Sequence, residues 1–194
     1  MLFRSRGGKD QTIIARRHGM WFDEPDEHPG ADTPNGPKVA GLCIAALRDY
    51  AVIHLDVIGV GASPYDFLVE LGHDVVGVNV SEAATATDRS GRLRFKNLRS
   101  QLYWRMREAL DPAANTGIAL PPSKRLLADL CAPTWKVSGN TIQVASREEI
   151  VALIGRSPDY ASAYVLALMD TAKSKLLPGI KRQGGAKDYD PYQR

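Results

Sequence analysis

The stretch Ala-Val-Ile-His-Leu-Asp-Val-Ile-Gly-Val-Gly, residues 51–61, decides the fold. It starts as an apolar run of strand-forming residues, reaches a carboxylate at Asp56 and closes with a glycine turn. A helical pattern at about 63–71 and a second apolar run at 75–80 follow. Because a strand, a helix and a strand in this order are joined by a crossover, the two strands are predicted to pair in parallel within an α/β domain.

Further elements on both sides of this unit predict a mixed sheet flanked by helices. The domain is expected to span residues 1–172, and the Gly-, Lys- and Asp-rich residues 173–194 are expected to form a flexible tail. The other predicted elements are strands at 2–6, 11–17 and 20–22, a proline-rich loop at 23–38, helices at 38–50, 93–110, 123–131 and 147–154, a hairpin at 134–145, and a last helix with Ser157 and Pro158 at its start.

Length and composition favour an ordinary globular domain. The 194 residues suit one domain with its own core, and 44% of them are hydrophobic. The net charge of +3 is compatible with a nucleic-acid partner but too small to demonstrate one. No apolar run approaches the roughly 20 residues of a membrane span, and the N-terminus lacks the apolar core of a signal peptide. We therefore expect a cytoplasmic protein with no membrane partner.

Asp56 has two interpretations. A carboxylate at the end of a buried strand is a suitable oxygen ligand for Mg²⁺ or Mn²⁺, and two-metal phosphodiester hydrolysis needs several such ligands from different elements. The same residue can simply cap the turn that follows the strand, because aspartate is common in turns.

The last helix carries two further candidates. Its apolar stripe is predicted from helical spacing, and Ser162 lies on the flank of that stripe. Asp159 lies one turn earlier and farther round, where it faces solvent and suits the positive end of the helix dipole. Ser162 is also consistent with a simple packing residue.

The predicted helix at 93–110 has a basic flank. Lys96, Arg99, Tyr103 and Arg107 follow one another beside the apolar stripe. Basic side chains with an aromatic residue among them are typical of a surface that contacts DNA phosphates. A solvated helix face is the other interpretation of the same pattern.

Five stretches of the chain form a pattern by their order and spacing over roughly residues 1–172. They are Gly8-Lys9-Asp10-Gln11-Thr12 with residues 13–17, Leu-Asp-Val-Ile-Gly-Val-Gly-Ala at 55–62, Val76-Gly77-Val78-Asn79, Asn97-Leu98-Arg99 with Tyr103-Trp104, and Gly155-Arg156-Ser157-Pro158-Asp159. Together they resemble the nuclease domain of phage terminase large subunits. The resemblance implies an RNase H-like mixed sheet, double-stranded DNA as partner, contacts with the phage portal and small terminase subunit, and a place in the cytoplasm of the bacterial host.

The resemblance also implies a ligand set. In that family an aspartate on the first strand, one at the end of a later strand and one in the final helix bind Mg²⁺ or Mn²⁺. Asp56 corresponds to the second and is implied as a bridging ligand, whereas the other two positions fall at Phe3 and Ser162, which have no carboxylate. Asp10 and Asp159 are the only substitutes expected, as metal ligands, with Asp159 beside Asp56 in catalysis.

The full-length proteins of that family also carry an ATPase motor. No Gly-x-x-x-x-Gly-Lys-Ser/Thr occurs here, and Gly7-Gly8-Lys9-Asp10 lacks both the spacing and the final hydroxyl. The chain therefore resembles an N-terminally truncated nuclease portion, and a prophage remnant would account for an eroded site.

Three functional hypotheses follow. The first is a metal-dependent endonuclease domain of the terminase type, impaired because Phe3 and Ser162 replace ligands. The second is a non-catalytic module on the same fold that binds DNA or the portal. The third is a small nucleotide-binding protein, and the missing third glycine with Pro64 nearby argues against it.

Overall fold

Short strands and helices alternate along the chain, and the computed structural model describes them over residues 2–3, 11–49, 51–58 and 61–170, with the backbone alone at residues 2–3. The strands are β1 (Leu2–Phe3), β2 (Gln11–Ile14), β3 (Arg17–His18), β4 (Trp21–Phe22), β5 (Asp26–Pro29), β6 (Ile53–Asp56), β7 (Val75–Val78), β8 (Arg94–Phe95), β9 (Trp135–Ser138) and β10 (Thr141–Val144). The helices are α1 (Gly36–Ala46), α2 (Ala62–Glu70), α3 (Leu98–Leu110), α4 (Lys124–Cys131), α5 (Arg147–Ile154) and α6 (Asp159–Ala167), with 3₁₀ turns at Gly30–Asp32 and Pro112–Ala114.

The main sheet has five strands in the order β5-β2-β1-β6-β7. Strands β1, β6 and β7 are parallel, and β2 and β5 are antiparallel to their neighbours. The predicted strand, helix and parallel strand are therefore confirmed as β6, α2 and β7. Because Asp56 pairs with Val78, the carboxyl ends of β6 and β7 meet at one edge of the sheet, called here the carboxyl edge.

The predicted loop at 23–38 is wrong over four residues. Asp26–Pro29 form β5, which pairs with β2 at the rim of the sheet. A proline is tolerated there because an edge strand does not need every N–H for pairing. Helix α1 then begins at Gly36 rather than at residue 38, since the Asn35 side chain accepts from the Lys38 N–H and caps it.

Each face of the sheet supports its own core. Ile13 and its neighbours pack under α3, α4 and α6, whereas Ile14 and Leu55 pack under α1 and α2. Adjacent residues of β2 separate in this way because side chains alternate across a strand. The sheet is thus covered on both sides by helices, as the mixed α/β prediction required.

Helix α6 lies in the middle of the larger core and is buried all round. It contacts β1, β2 and β6 of the sheet and also α3 and α4. All nine of its residues are buried, so the prediction that Asp159 faces solvent is wrong: its side chain is 1% exposed. The predicted cap is also wrong, because the helix begins after Pro158 and the Ser157 hydroxyl accepts from Arg147 instead.

A second, three-stranded sheet has the order β8-β10-β9. The predicted hairpin is confirmed as β9 and β10, and every residue of β9 is exposed. The predicted capping box that opens α5 is also confirmed, since Ser146 and Glu149 bond to each other's backbone N–H. Helix α3 starts five residues later than predicted, at Leu98, so Lys96 precedes the helix.

Two predictions concern other parts of the chain. Asp10 and the expected flexible tail at 173–194 lie outside the described residues. Within the described ranges, no helix is long and apolar enough to cross a membrane.

Candidate functional site

Asp56 ends β6 at the carboxyl edge and is half-buried. Its Oδ1 accepts a hydrogen bond of 3.0 Å from the Ile58 N–H, so the residue does cap the turn. Burial raises the pKa of Asp56, while the Ile58 N–H and the charges of Arg99 and Arg147 act in the opposite direction. The turn also needs glycine at Gly61, where an added Cβ would lie 1.7 Å from the Asp56 carbonyl oxygen.

The first-strand position of the expected ligand set lies next to Asp56. Leu2 of β1 pairs with Leu55 of β6, so the following residue, Phe3, is level with Asp56 on the neighbouring strand. Neighbouring strands lie about 4.8 Å apart. The backbone therefore brings position 3 to the place where a ligand is expected, and the residue there is a phenylalanine, which has no ligand atom.

The final-helix position is occupied by a neutral contact. Ser162 is 7% exposed, and its Oγ lies 3.5 Å from the Oη of Tyr103, a residue of α3 that is 8% exposed. Two hydroxyl groups in a buried layer stabilise each other weakly and carry no charge. Nothing in this pair replaces a carboxylate.

Asp159, the proposed substitute, is directed to another strand. Its Oδ2 accepts a 3.0 Å hydrogen bond from the N–H of Gln11, the first residue of β2. Strands β2 and β6 are separated by β1, so this partner lies roughly 10 Å from the strand of Asp56. The carboxylate therefore ties α6 to β2.

Two arginines that were left out of the expected ligand set act on Asp56 through their charges. The Arg99 Nε donates to the Ala145 carbonyl (3.1 Å), and its guanidinium lies 4.7 Å from the centre of the Tyr103 ring. Arg147 Nε donates to the Ser157 hydroxyl (3.2 Å). Arg147 could not be found from sequence, because it lies 91 residues from Asp56 along the chain and only the fold lets its charge act on that carboxylate.

A buried ion pair supports the start of α6. The Asp129 side chain on α4 is fully buried and pairs with Arg156, and its Oδ2 accepts from the Tyr160 N–H at 3.2 Å. Burial raises the pKa of Asp129, and the Arg156 side chain opposes that effect. The pair was missed from sequence because an acid in a short amphipathic helix ordinarily faces water.

The predicted DNA-contacting residues are not equivalent in the structure. Lys96 and Arg107 are exposed, Arg99 is half-buried and Tyr103 is buried. Arg107 lies over the rings of Trp104 (4.5 Å) and Trp135 (5.7 Å). The structure therefore places Arg99 against Tyr103 and Arg107 against the two tryptophans.

The residues at the carboxyl edge do not fit a two-metal centre. Such a centre needs several carboxylate oxygens around ions about 3.5–4 Å apart. Among residues 11–49, 51–58 and 61–170, no group of three His, Cys, Asp or Glu residues could hold a metal ion. Asp56 instead has two guanidinium groups as its charged neighbours, and cations of that kind compete with a metal ion.

The mixed five-stranded sheet, with α6 against β1, β2 and β6, defines the RNase H-like nuclease fold of phage terminases. Solved structures of the nuclease domain of the large terminase subunit gp2 of bacterial virus Sf6 share it. A variant with manganese and beta-thujaplicinol is 20% identical with a TM-score of 0.65, covering 87% of this chain and 86% of that chain. A variant with calcium is 21% identical with a TM-score of 0.63, covering 86% of each chain.

The similarity is one of fold. No protein-family model matches the chain, and no curated protein sequence does so either. The two solved neighbours hold manganese or calcium, whereas the described part of this chain has no group of three His, Cys, Asp or Glu residues that could hold a metal ion.

Proposed function

We propose that this protein is a terminase-type nuclease domain with an eroded hydrolytic site that still binds double-stranded DNA. The observation that carries the proposal is the composition of the carboxyl edge: Asp56 stands at the expected strand end, with Phe3 level with it and Arg99 and Arg147 as its charged neighbours. Hydrolysis on this fold is impaired because the carboxylates that would hold Mg²⁺ or Mn²⁺ are missing.

Asp10 and Asp159 remain the proposed substitute ligands, and Asp56 with Asp159 the proposed catalytic acids, for any residual cleavage. The hydrogen bond from Gln11 to Asp159 argues for a low rate, because it holds that carboxylate at β2, which β1 separates from the strand of Asp56. Residual cleavage would thus be far weaker than that of an intact domain.

DNA contact is assigned to the basic residues near this edge. Lys96, Arg99 and Arg107 are proposed to meet backbone phosphates, and Tyr103 is proposed to support Arg99 from beneath. A purely binding role for DNA or for a phage portal on the same fold is the second candidate, favoured by the two guanidinium groups beside Asp56. Prophage origin, the small terminase subunit as a partner, and the bacterial cytoplasm belong to the same proposal.

The test is cleavage of supercoiled plasmid in Mn²⁺. Four proteins are compared: the unmodified chain, Asp56→Ala, the double variant Phe3→Asp with Ser162→Asp, and a neutral control with Phe3→Asn and Ser162→Asn. Circular dichroism and thermal unfolding establish that each is folded. The unmodified chain is expected to cleave at or near background.

Activity in the aspartate variant but not in the asparagine control would support an eroded terminase nuclease. Cleavage by the unmodified chain that is lost in Asp56→Ala would contradict erosion and show that Asp10 or Asp159 completes a site. Folded proteins that are all silent, yet bind duplex DNA, would favour the binding module.

A further inference from the structure

Arg99 is fixed at the carboxyl edge by contacts at both ends of the residue. Its backbone N–H donates to the Val80 carbonyl (2.8 Å), two residues beyond Val78, the partner of Asp56. Its Nε donates to the Ala145 carbonyl, and its guanidinium stacks on Tyr103. The side chain is therefore held in one orientation by Nε and by its flat face, which leaves the Nη edge for another partner.

One atom of that edge, Nη2, lacks such a partner within the described part of the chain. Arg99 Nη2 is buried and makes no hydrogen bond there, while the residue as a whole is only half-buried. A buried charged donor without an acceptor is costly, and a missing ion or ligand is a common reason for one. An oxygen that reached this edge of the guanidinium would satisfy Nη2.

Two guanidinium groups and two carboxylates act on one another around this edge, and the guanidinium groups are the ones that suit an anion. Arg147 is the second guanidinium that acts on Asp56, and the exposed Glu148 is a further acid on which both arginines act. A phosphate diester matches the planar fork of arginine in shape and charge. A carboxylate beside the fork weakens that attraction, so Asp56 and Glu148 should oppose phosphate binding, although a metal-mediated contact would need Asp56.

We infer that the carboxyl edge beside Asp56 is a metal-independent site for a phosphate group of the DNA backbone. Arg99 binds the phosphate, and Arg147 supplies a second positive charge. The inference rests on the proposed function for its DNA ligand. In this site a guanidinium group contacts the phosphate directly, in place of a metal ion that would lie between protein and phosphate.

The inference is tested by the binding of a fluorescent 30-base-pair duplex. Fluorescence anisotropy measures the affinity in EDTA and in MnCl₂ at matched ionic strength. Equal affinity in the two buffers is expected. Arg99→Gln should weaken binding about ten-fold in both and reduce the slope of log affinity against log salt by about 1. The matched control is Arg105→Gln, which removes the same charge from an exposed position of α3 and should change affinity much less.

The sign of the Asp56→Asn effect is the sharper test, because asparagine can still cap the turn. Tighter binding in EDTA is expected for Asp56→Asn and for Glu148→Gln. Weaker binding for Asp56→Asn, a requirement for Mn²⁺, or equal losses for the Arg99 and Arg105 variants would overturn the inference. Arg99→Lys, which keeps the charge without the fork, should lie between wild type and Arg99→Gln, so a folding defect in one variant does not decide the result.

A second experiment separates this inference from the proposed function. It compares the thermal unfolding temperature in sodium phosphate with that in sodium chloride of equal ionic strength. Stabilisation by phosphate that Arg99→Gln abolishes, without any duplex binding, would support the anion site and contradict DNA as its ligand. Duplex binding that Arg99→Gln leaves intact, without stabilisation by phosphate, would support the proposed function and overturn the site.

Discussion

The hydroxyl oxygens of Tyr103 and Ser162 lie 3.5 Å apart in the buried layer between α3 and α6. Both side chains are more than nine-tenths buried, and both are neutral. This contact stands at the position where resemblance to terminase nucleases implies a metal-binding aspartate. Restoring the aspartate alone would therefore place a charge in a layer whose nearest hydrogen-bonding group is a phenol.

Ser162→Asp is expected to lower the free energy of unfolding by about 1–3 kcal/mol at pH 7. Burial favours the protonated acid, so the pKa of the new carboxyl rises and stability should recover as the pH falls from 7 towards 5. Urea unfolding at both pH values measures the effect. Ser162→Asn, of nearly the same size without the charge, should show no such recovery; a recovery there would mean that size and not charge is responsible.

Arg156→Met should destabilise the protein by about 3–5 kcal/mol, because it leaves Asp129 buried without its partner. The double variant Asp129→Asn with Arg156→Met removes both charges and should lose less than the single variant. Chemical unfolding of the wild type, Arg156→Met, Asp129→Asn and the double variant gives the coupling free energy between the two residues. Additive losses would contradict the view that this pair anchors the start of α6.

Gly61→Ala should destabilise the protein and displace the turn after β6. The added Cβ would meet the Asp56 carbonyl oxygen at 1.7 Å, so the backbone has to move. Gly41→Ala is the control, because an added Cβ at this exposed position in α1 meets nothing within 4 Å and should stabilise the helix by about 0.5–1 kcal/mol. Thermal unfolding distinguishes the two, and equal shifts would contradict the crowding argument.

His54 should make the protein sensitive to acid. Burial is the main cause that lowers the pKa of His54 to about 4; the positive charge of Arg17 acts in the same direction, and Asp170 opposes it. The unfolded chain therefore binds a proton at higher pH than the folded one, and stability should fall by about 2–3 kcal/mol as the pH drops from 6.5 to 4.

Comparison of urea unfolding for wild type and His54→Leu at pH 7 and pH 4.5 checks this prediction. His54 Nε2 has no hydrogen-bond partner in the described residues, so leucine costs little there. Relative to wild type, the free energy of unfolding of His54→Leu should be higher at pH 4.5 than at pH 7. A constant difference would show that His54 remains neutral in both states or charged in both.

Local patterns were enough to predict the elements that depend on neighbours in sequence. The β6, α2 and β7 unit and the Ser146 and Glu149 capping box follow from periodicity and cap chemistry, and both are confirmed. The resemblance to terminase nucleases also predicted the fold that the solved structures share. These features need no knowledge of long-range contacts.

The errors arose where distant segments meet. Strand β5 exists because β2 supplies hydrogen bonds across the sheet, which the prolines around it do not reveal. Asp159 is buried where its carboxylate accepts a hydrogen bond from the backbone N–H of Gln11, 148 residues earlier. The arginines around Asp56 were assigned to a DNA-contacting flank or passed over for the same reason, since only the folded chain brings Val80, Ala145 and Asp56 to one edge.

Strand β9 has a consequence for handling the protein. It pairs with β10 alone in the described part of the chain, and it exposes Trp135 and Val137 at 50% and 44%. A bare strand of this kind can add to the same strand of a second molecule, and a charged side chain is the usual protection against it. Lys136 is that charge and should oppose pairing of two hairpins. Neutralising Lys136 should therefore lower the protein concentration at which self-association through this hairpin begins.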